Sequence, residues 1–168
     1  HKLSHLTRLP FTTPVGKPET IGADRLALVA ASVNLFPGKN NLAIALGTAI
    51  TYNFVNRNHE FLGGGISPGM EMRFRSLKDY TALLPLVKED WNFPLVGYDT
   101  VTNITSGVIL GMAKEIVGEL EGIDVACNLL TGAGLNFTAT RVLADDVFLH
   151  FDGVEVRLDF VKCPNELH

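Results

Sequence analysis

The chain has 168 residues, of which 46% are hydrophobic, and its formal net charge is −4 from 14 basic and 18 acidic residues. This length fits one domain or part of a larger one, and this apolar content supports a sizeable core, which excludes a mainly disordered chain. The acidic balance argues against a surface that binds nucleic acid or an anionic membrane.

The first part of the chain predicts a loop, a helix and three strands. Closely spaced prolines and glycines over 6–22 predict the loop. Residues 23–36 contain no helix breaker and end before a Pro-Gly pair, which predicts a largely buried helix. Alternating apolar residues over 42–55, interrupted at Gly47, predict two strands joined by a tight turn, with a third strand near 60–66.

Two helices are predicted next. The glycines and prolines of 63–69 precede an amphipathic helix at about 70–84. Apolar residues recur every three or four positions over 100–120, which predicts a second, longer helix. Gly107 and Gly111 lie inside it and each costs about 1 kcal/mol relative to Ala. We therefore expect them to pack closely against a neighbouring backbone.

The last third of the chain predicts further strands. Buried strands are expected at 125–130 and 147–151 with a short helix between them, whereas 153–161 fits either a strand or two helical turns. Taken with the earlier elements, this order predicts an α/β fold whose sheet starts antiparallel and continues parallel.

Location and metal binding have few signals in the sequence. The apolar stretches are much shorter than the roughly 20 residues that cross a bilayer, so we expect a soluble protein. Cys127 and Cys163 match neither a metal spacing nor a disulfide framework, which favours a reducing cytoplasm. His59 and His150 have no partner at metal-ligand spacing. The chain starts at His1 without an initiator Met, so we expect it to be cut from something longer.

The segment Gly22-Ala23-Asp24-Arg25 joins the loop to the first helix and could carry chemistry. Arg25 could bind a carboxylate or phosphate with its forked guanidinium, and Asp24 could accept a proton or a hydrogen bond. An Asp in the first helical turn is explained equally well by the helix dipole or by capping. Spacing alone leaves both interpretations open.

Three other segments contain the residues of a ligand site. Gly47-Thr48 offers backbone N–H groups and a hydroxyl to a phosphate oxygen, although ordinary hairpins turn in the same way. The glycines of 63–69 allow a ligand to approach the backbone at a helix start, or form only a flexible connection. Asp99-Thr100 is most simply a helix cap, with a ligand-contacting hydroxyl as the alternative.

Taken together and in order, these segments resemble the type III pantothenate kinases, a family also named after a Bvg accessory factor. The matching strings are Pro18-Glu19-Thr20-Ile21-Gly22-Ala23-Asp24-Arg25, Gly47-Thr48-Ala49-Ile50-Thr51-Tyr52, Gly63-Gly64-Gly65-Ile66-Ser67-Pro68-Gly69, Leu84-Pro85, Asp99-Thr100, Ser106-Gly107 and Leu130-Thr131-Gly132.

The resemblance implies an α/β, ribonuclease-H-like fold of the actin-like ATPase type. It also implies that residues 1–168 form one domain, mainly the second half of a duplicated fold. On this view 1–22 is a connecting loop, 23–168 is the core, and the N-terminal half with its Asp-x-Gly-Asn-Thr phosphate loop is not present.

The family resemblance further implies a function. It is the ATP-dependent phosphorylation of pantothenate to 4'-phosphopantothenate, the first step of coenzyme A biosynthesis, by a cytoplasmic homodimer. Magnesium would accompany ATP, and K⁺ or NH₄⁺ would serve as a monovalent cation. Matched residue by residue, the resemblance implies that Asp24 would be the general base, while Gly22, Ala23, Arg25 and Thr100 would contact pantothenate. The hydroxyl of Thr48 would contact an ATP phosphate.

Two positions depart from the family pattern. Ala45 stands where the family has an Asp that binds the cation, and Val15 stands where it has a Tyr that contacts substrate. These departures keep open a non-catalytic relative that acts as a binding or regulatory protein, and a generic sugar- or acid-binding member of the same fold. The residues that favour the enzyme are intact: Asp24, Arg25, Thr48 and Thr100.

Overall fold

The computed structural model describes residues 3–120, 126–131, 146–151 and 154–159. A short 3₁₀ turn at Pro18–Thr20 precedes the first helix. The elements that follow are α1 (Ala23–Leu35), β1 (Asn41–Leu46), β2 (Ala49–Val55), β3 (Phe61–Gly63), β4 (Ile66–Pro68), α2 (Met70–Asp79), α3 (Thr100–Leu120), β5 (Ala126–Thr131), β6 (Asp146–Phe151) and β7 (Val154–Asp159). None of the helices in these ranges has the length and apolarity of a membrane span.

The main sheet has the strand order β3-β2-β1-β5, and β4 also pairs with β2. β1 and β2 form an antiparallel hairpin in which Leu46 lies opposite Ile50. β5 joins β1 in parallel, with Asn41 opposite Ala126. The expectation of an antiparallel start and a parallel continuation is therefore confirmed. The helices α2 and α3 form part of the long connection that leads to β5, as a strand parallel to β1 requires.

β6 and β7 form a separate antiparallel pair in which Phe151 lies opposite Val154. The region that fitted either a strand or a helix therefore contains a strand, Val154–Asp159. Its hydrogen-bonding partner is another strand, which periodicity within one segment cannot reveal. The short helix expected between 130 and 147 lies outside the described residues.

Helices cover both faces of the main sheet. Because side chains alternate along a strand, Ile50 and Tyr52 of β2 point to one face, where they pack with Met112 and Ile116 of α3. Val55 points to the other face, where it packs with buried α1 residues and with Phe61; the α1 residues are Leu26, Val29 and Val33. We call these the α3 face and the α1 face.

The predicted loop over 6–22 is tied to the sheet by β3. Thr12 donates its N–H to the carbonyl of His59 at 2.9 Å and accepts from the N–H of Phe61 at 2.8 Å. Phe11 is buried and meets the ring of Phe61 edge to face, with 6.0 Å between the ring centroids. The loop thus reaches α1 as an ordered segment.

Two predicted elements differ from those observed. The third strand is split into β3 and β4, because Gly63 and Gly64 adopt φ angles of 107° and 154°, which a strand residue with a side chain rarely takes. The helix expected at 70–84 ends at Asp79. Tyr80 and Leu83 after it are 89% and 93% exposed, so a longer helix would have had no face to bury there.

The close packing expected at Gly107 and Gly111 is wrong for the described part of the chain. Both glycines lie on the exposed side of α3, and a Cβ added to either would meet nothing within 4 Å. The helix itself has the predicted limits, Thr100–Leu120. Asp99 caps it, since its carboxylate accepts the N–H of Thr102 at 2.8 Å, and that hydrogen bond lowers the pKa of Asp99.

Candidate functional site

Gly22 sets the geometry at the start of α1. It occupies the N-cap position without a side-chain cap, and its carbonyl accepts the N–H of Leu26 at 3.1 Å. A Cβ at Gly22 would lie 2.4 Å from Oδ1 of Asp24. Only glycine therefore leaves room for this position of the Asp24 carboxylate. Asp24 is exposed in the first turn, where the helix dipole favours a negative charge.

Arg25 is held against the α1 face of the sheet. Its Nε donates to Oδ1 of Asn53 at 2.6 Å, and Nη2 donates to the carbonyl of Tyr52 at 3.3 Å. The guanidinium also lies 5.8 Å from the ring centroid of Phe61. The sequence predicted a guanidinium that could bind an acid. In the structure these contacts use part of its donor fork and fix its direction beside Asp24.

Asn53 is the residue that positions Arg25, and it was not among the residues predicted from the sequence. It is fully buried and donates Nδ2 to the carbonyl of Ala43 at 3.1 Å and to the hydroxyl of Thr51 at 3.2 Å. With its nitrogen occupied by those acceptors, its oxygen faces Arg25. A polar residue inside an apolar strand was the available signal, since a buried amide needs partners.

Ala45 lies on the same face of the sheet as Asn53. It pairs with Thr51 across the β1–β2 hairpin, and alternation along both strands points these side chains toward α1. Ala45 offers no ligand atom from its side chain. Residues 3–120 and the described strands contain no group of three His, Cys, Asp or Glu that could hold a metal ion. Ala45 therefore lacks the charged ligand of the cation site that the family pattern implies.

Thr48 lies in the β1–β2 turn, against the start of α2. The N–H of Gly69 donates to the Thr48 carbonyl at 3.0 Å, and a Cβ at Gly69 would lie 2.0 Å from the carbonyl oxygen of Gly47. Gly69 is also the N-cap of α2. The exposed Thr48 side chain therefore lies beside a helix N-terminus, which favours anions. Thr48 also borders a cleft of about 470 Å³ that Glu71 and Arg75 line.

Thr100 lies in a different cleft. This cleft has a volume of about 610 Å³, runs between α2 and α3, and is also lined by Arg73, Leu84 and Asn103. The candidate residues are thus placed in three locations: Asp24 and Arg25 at the α1 face, Thr48 at the hairpin turn, and Thr100 at the start of α3. The turn and the Arg25 location are well separated, because Thr48 precedes Asn53, the partner of Arg25, by five residues. Five residues of extended chain span about 16 Å.

A fourth location combines side chains from four elements, and it was not predicted from the sequence. We call Tyr52, Ser67, Arg73 and Glu115 the Glu115 cluster. Nη2 of Arg73 donates to Oε2 of Glu115 and, at 2.7 Å, to Oγ of Ser67, and the Tyr52 hydroxyl donates to Oε1 of Glu115 at 2.9 Å. Glu115 lies one position before buried Ile116. A charge bordering an apolar helix face was the only signal.

The Glu115 cluster keeps its carboxylate ionised. Burial raises the pKa of Glu115, but hydrogen bonds from Ser67, Arg73 and Tyr52 and the charge of Arg73 lower it by more. The resulting pKa lies below the ordinary value of 4.5. A lowered folded-state pKa means that the group contributes stability above 4.5. That contribution is lost as the pH falls through the lowered value.

Replacing Glu115 with Gln is expected to lower the free energy of unfolding by about 2 kcal/mol at pH 7, because charge-assisted hydrogen bonds are lost. The difference from the unchanged protein should shrink as the pH falls below 4.5. Urea unfolding at several pH values measures both effects. Glu71→Gln is the control, because Glu71 pairs with Arg75 on an exposed helix surface and should change stability little. A constant deficit at all pH values would contradict the prediction.

Comparison of the sequence with known proteins places this chain in a family. The family model described as type III pantothenate kinase matches residues 3–121. A protein of Christiangramia forsetii named type III pantothenate kinase is 47% identical over 123 residues, which cover 73% of this chain and 51% of that protein. A protein of Cytophaga hutchinsonii with the same name is 46% identical over 153 residues, which cover 89% of this chain and 65% of that protein.

The chain therefore spans only about half to two thirds of the length of these relatives. A solved structure of a Baf family protein from Campylobacter jejuni is 21% identical, with a TM-score of 0.43 over 74% of this chain and 54% of that one. That similarity is too low to add to the assignment. The family match covers most of the chain and includes the Gly22 to Arg25 segment, the hairpin turn and α3. The chain belongs to the type III pantothenate kinase family, whose fold is that of the actin-like ATPases.

Proposed function

We propose that this chain forms part of an enzyme that transfers a phosphoryl group from ATP to pantothenate, giving 4'-phosphopantothenate for coenzyme A biosynthesis. Family membership supports this reaction class. The observation that carries the proposal is the Asp24-Arg25 pair, with Arg25 fixed by Asn53 and Phe61 beside an exposed carboxylate. The family match favours this catalytic role over the non-catalytic alternative.

Asp24 and Arg25 have complementary roles in the proposal. The exposed Asp24 carboxylate would accept the proton of the pantothenate hydroxyl as it attacks the γ-phosphorus of ATP. Arg25 would bind the substrate with the part of its fork that Asn53 does not use, while the backbone of Gly22 and Ala23 lies alongside. Positioning and charge neutralisation account for most of the catalysis in phosphoryl transfer, so these residue types are sufficient at this end of the site.

Thr48 is the proposed contact to ATP phosphate. Its turn lies against the N-terminus of α2, where backbone N–H groups and the helix dipole favour an anion. Magnesium would arrive bound to ATP as part of the substrate. We place the reaction in the cytoplasm, where ATP is available.

The remaining parts of the proposal concern assembly. We propose that the chain is mainly the second half of a duplicated fold, with residues 1–22 as the connection, and that the protein is a homodimer. Exposed apolar side chains beside the Thr100 cleft support a surface that a second copy covers, since Leu83 is 93% exposed, Leu86 55% and Val101 50%. Thr100 would contact pantothenate from that region. Light scattering of the complete protein tests the dimer.

The cation requirement is where we expect this protein to depart from its family. Since Ala45 offers no charge on the α1 face, exchanging K⁺ for Na⁺ should change the phosphorylation rate little, and ATP affinity should be weak. Ala45→Asp should create a K⁺ dependence and strengthen ATP binding, whereas the uncharged control Ala45→Asn should not. Initial rates in K⁺ and Na⁺ for the three proteins measure this. Strong K⁺ activation of the Ala45 protein would contradict it.

The complete protein provides the direct test of the function. ADP formation should depend on pantothenate, and the product should carry one phosphate on the primary hydroxyl, as phosphorus NMR would detect. Arg25→Ala should raise the KM for pantothenate, because the guanidinium would no longer hold the substrate. ADP formation that is the same with and without pantothenate would reject the proposal.

A further inference from the structure

The Glu115 cluster lies on the α3 face of the sheet, away from Asp24 and Arg25. Tyr52 of β2 points to this face and is 2% exposed. Ser67 of β4 lies opposite Ile50 in the pairing with β2, so it points to the same face. The carboxylate of Glu115 therefore joins α3 to two strands and, through Arg73, to α2.

A continuous series of contacts leads from Glu115 to the turn that contains Thr48. Arg73 bonds to Glu115 with Nη2, and its Nε donates to the carbonyl of Pro68 at 2.7 Å. The next residue, Gly69, donates its N–H to the Thr48 carbonyl and lies too close to Gly47 for any side chain. Arg73 also accounts for the direction of the Ser67 hydroxyl.

Each contact in this series limits movement of the next. The planar guanidinium of Arg73 has a fixed arrangement of donors, so its bond to the Glu115 carboxylate also fixes the directions of its other donors. Without the Glu115 charge, Arg73 would be free to turn to solvent and release the Pro68 carbonyl. The strand Ile66–Pro68 and the N–H of Gly69 would then lose their support beneath the Gly47-Thr48 turn.

We propose that Glu115 is a positioning residue that holds Arg73 against Ser67 and Pro68 and thereby fixes the Thr48 turn for ATP. This inference rests on the proposed function in so far as Thr48 contacts ATP. We expect the effect to fall mainly on the nucleotide, because Asp24 and Arg25 lie at the opposite face of the sheet and are held by Asn53 and Phe61. Arg73 also borders the Thr100 cleft, but Glu115→Gln leaves the residues of that cleft unchanged.

Kinetics of the complete protein test the specificity of this effect. Glu115→Gln should raise the KM for ATP about tenfold while the KM for pantothenate changes less than about twofold. Tyr52→Phe removes the hydrogen bond to Oε1 but keeps the contact between Arg73 and Glu115, so the rise in the KM for ATP should be smaller. Lys78→Gln is the control on α2, because Lys78 is exposed and lies outside the cluster. An equal rise in both KM values would overturn the inference.

A second measurement does not depend on catalysis. Amide hydrogen exchange at Gly69 reports the bond from its N–H to the Thr48 carbonyl, and it should speed up about tenfold or more in Glu115→Gln but not in Lys78→Gln. Calorimetric titration with ATP should show the same order of affinities. If pantothenate is not a substrate, the proposed function fails, yet exchange and titration still decide the role of Glu115. Unchanged exchange and ATP affinity in a folded Glu115→Gln protein would overturn it. Arg73→Lys provides a second variant with the same expected result.

Discussion

Replacing Asp24 with Asn is expected to lower kcat by roughly 10²- to 10⁴-fold, the usual contribution of a general base. The amide keeps the size of the side chain and its position over Gly22 but cannot accept the proton of the pantothenate hydroxyl. The KM for pantothenate should change much less, because Arg25 and its partner Asn53 are untouched. Steady-state rates of pantothenate-dependent ADP formation measure both quantities.

Glu19→Gln is the matched control for Asp24→Asn. Glu19 is another exposed carboxylate, in the 3₁₀ turn that precedes α1, and its loss should leave kcat unchanged. The pair separates the chemistry of one carboxylate from the general loss of negative charge near the start of α1. If kcat of Asp24→Asn equals that of the unchanged protein, Asp24 only interacts with the helix dipole.

Gly69→Ala is expected to lower the free energy of unfolding by about 3 kcal/mol and to weaken ATP binding strongly. Its Cβ would lie 2.0 Å from the carbonyl oxygen of Gly47 and 2.7 Å from that of Thr48. Both are backbone atoms, so the turn itself must move. Gly69 has a φ of −70°, which means that contact and not backbone strain causes the loss. Urea unfolding and ATP titration measure the two effects.

Gly47→Ala tests the same contact from its other side. A Cβ at Gly47 would meet only the carbonyl oxygen of Ala49, at the ordinary distance of 3.9 Å. We expect this variant to keep most of its stability. The difference in stability between the two variants then measures the cost of the clash between a Cβ at position 69 and the turn. If both variants lose the same stability, the lost backbone freedom of glycine explains the result better than the contact does.

Local patterns determined much of the fold. The repeat of apolar residues over α3 predicted both of its ends, and Asp99 caps it, because helix periodicity and capping involve residues close together in sequence. The β1–β2 hairpin followed in the same way from alternation and a glycine at the turn. The end of α2 did not, since it depends on which residues after Asp79 find a surface to cover.

For the candidate site, the sequence by itself determined which residue types were available: an Asp-Arg pair at a helix start, a Thr in a turn and glycines before a second helix. Only the tertiary structure decided their surroundings. Asn53 lies 28 positions from Arg25, and Glu115 lies 42 positions from Arg73, yet each pair is hydrogen-bonded. Such partners are selected by the packing of helices on opposite faces of a sheet, and that packing has no period along the chain.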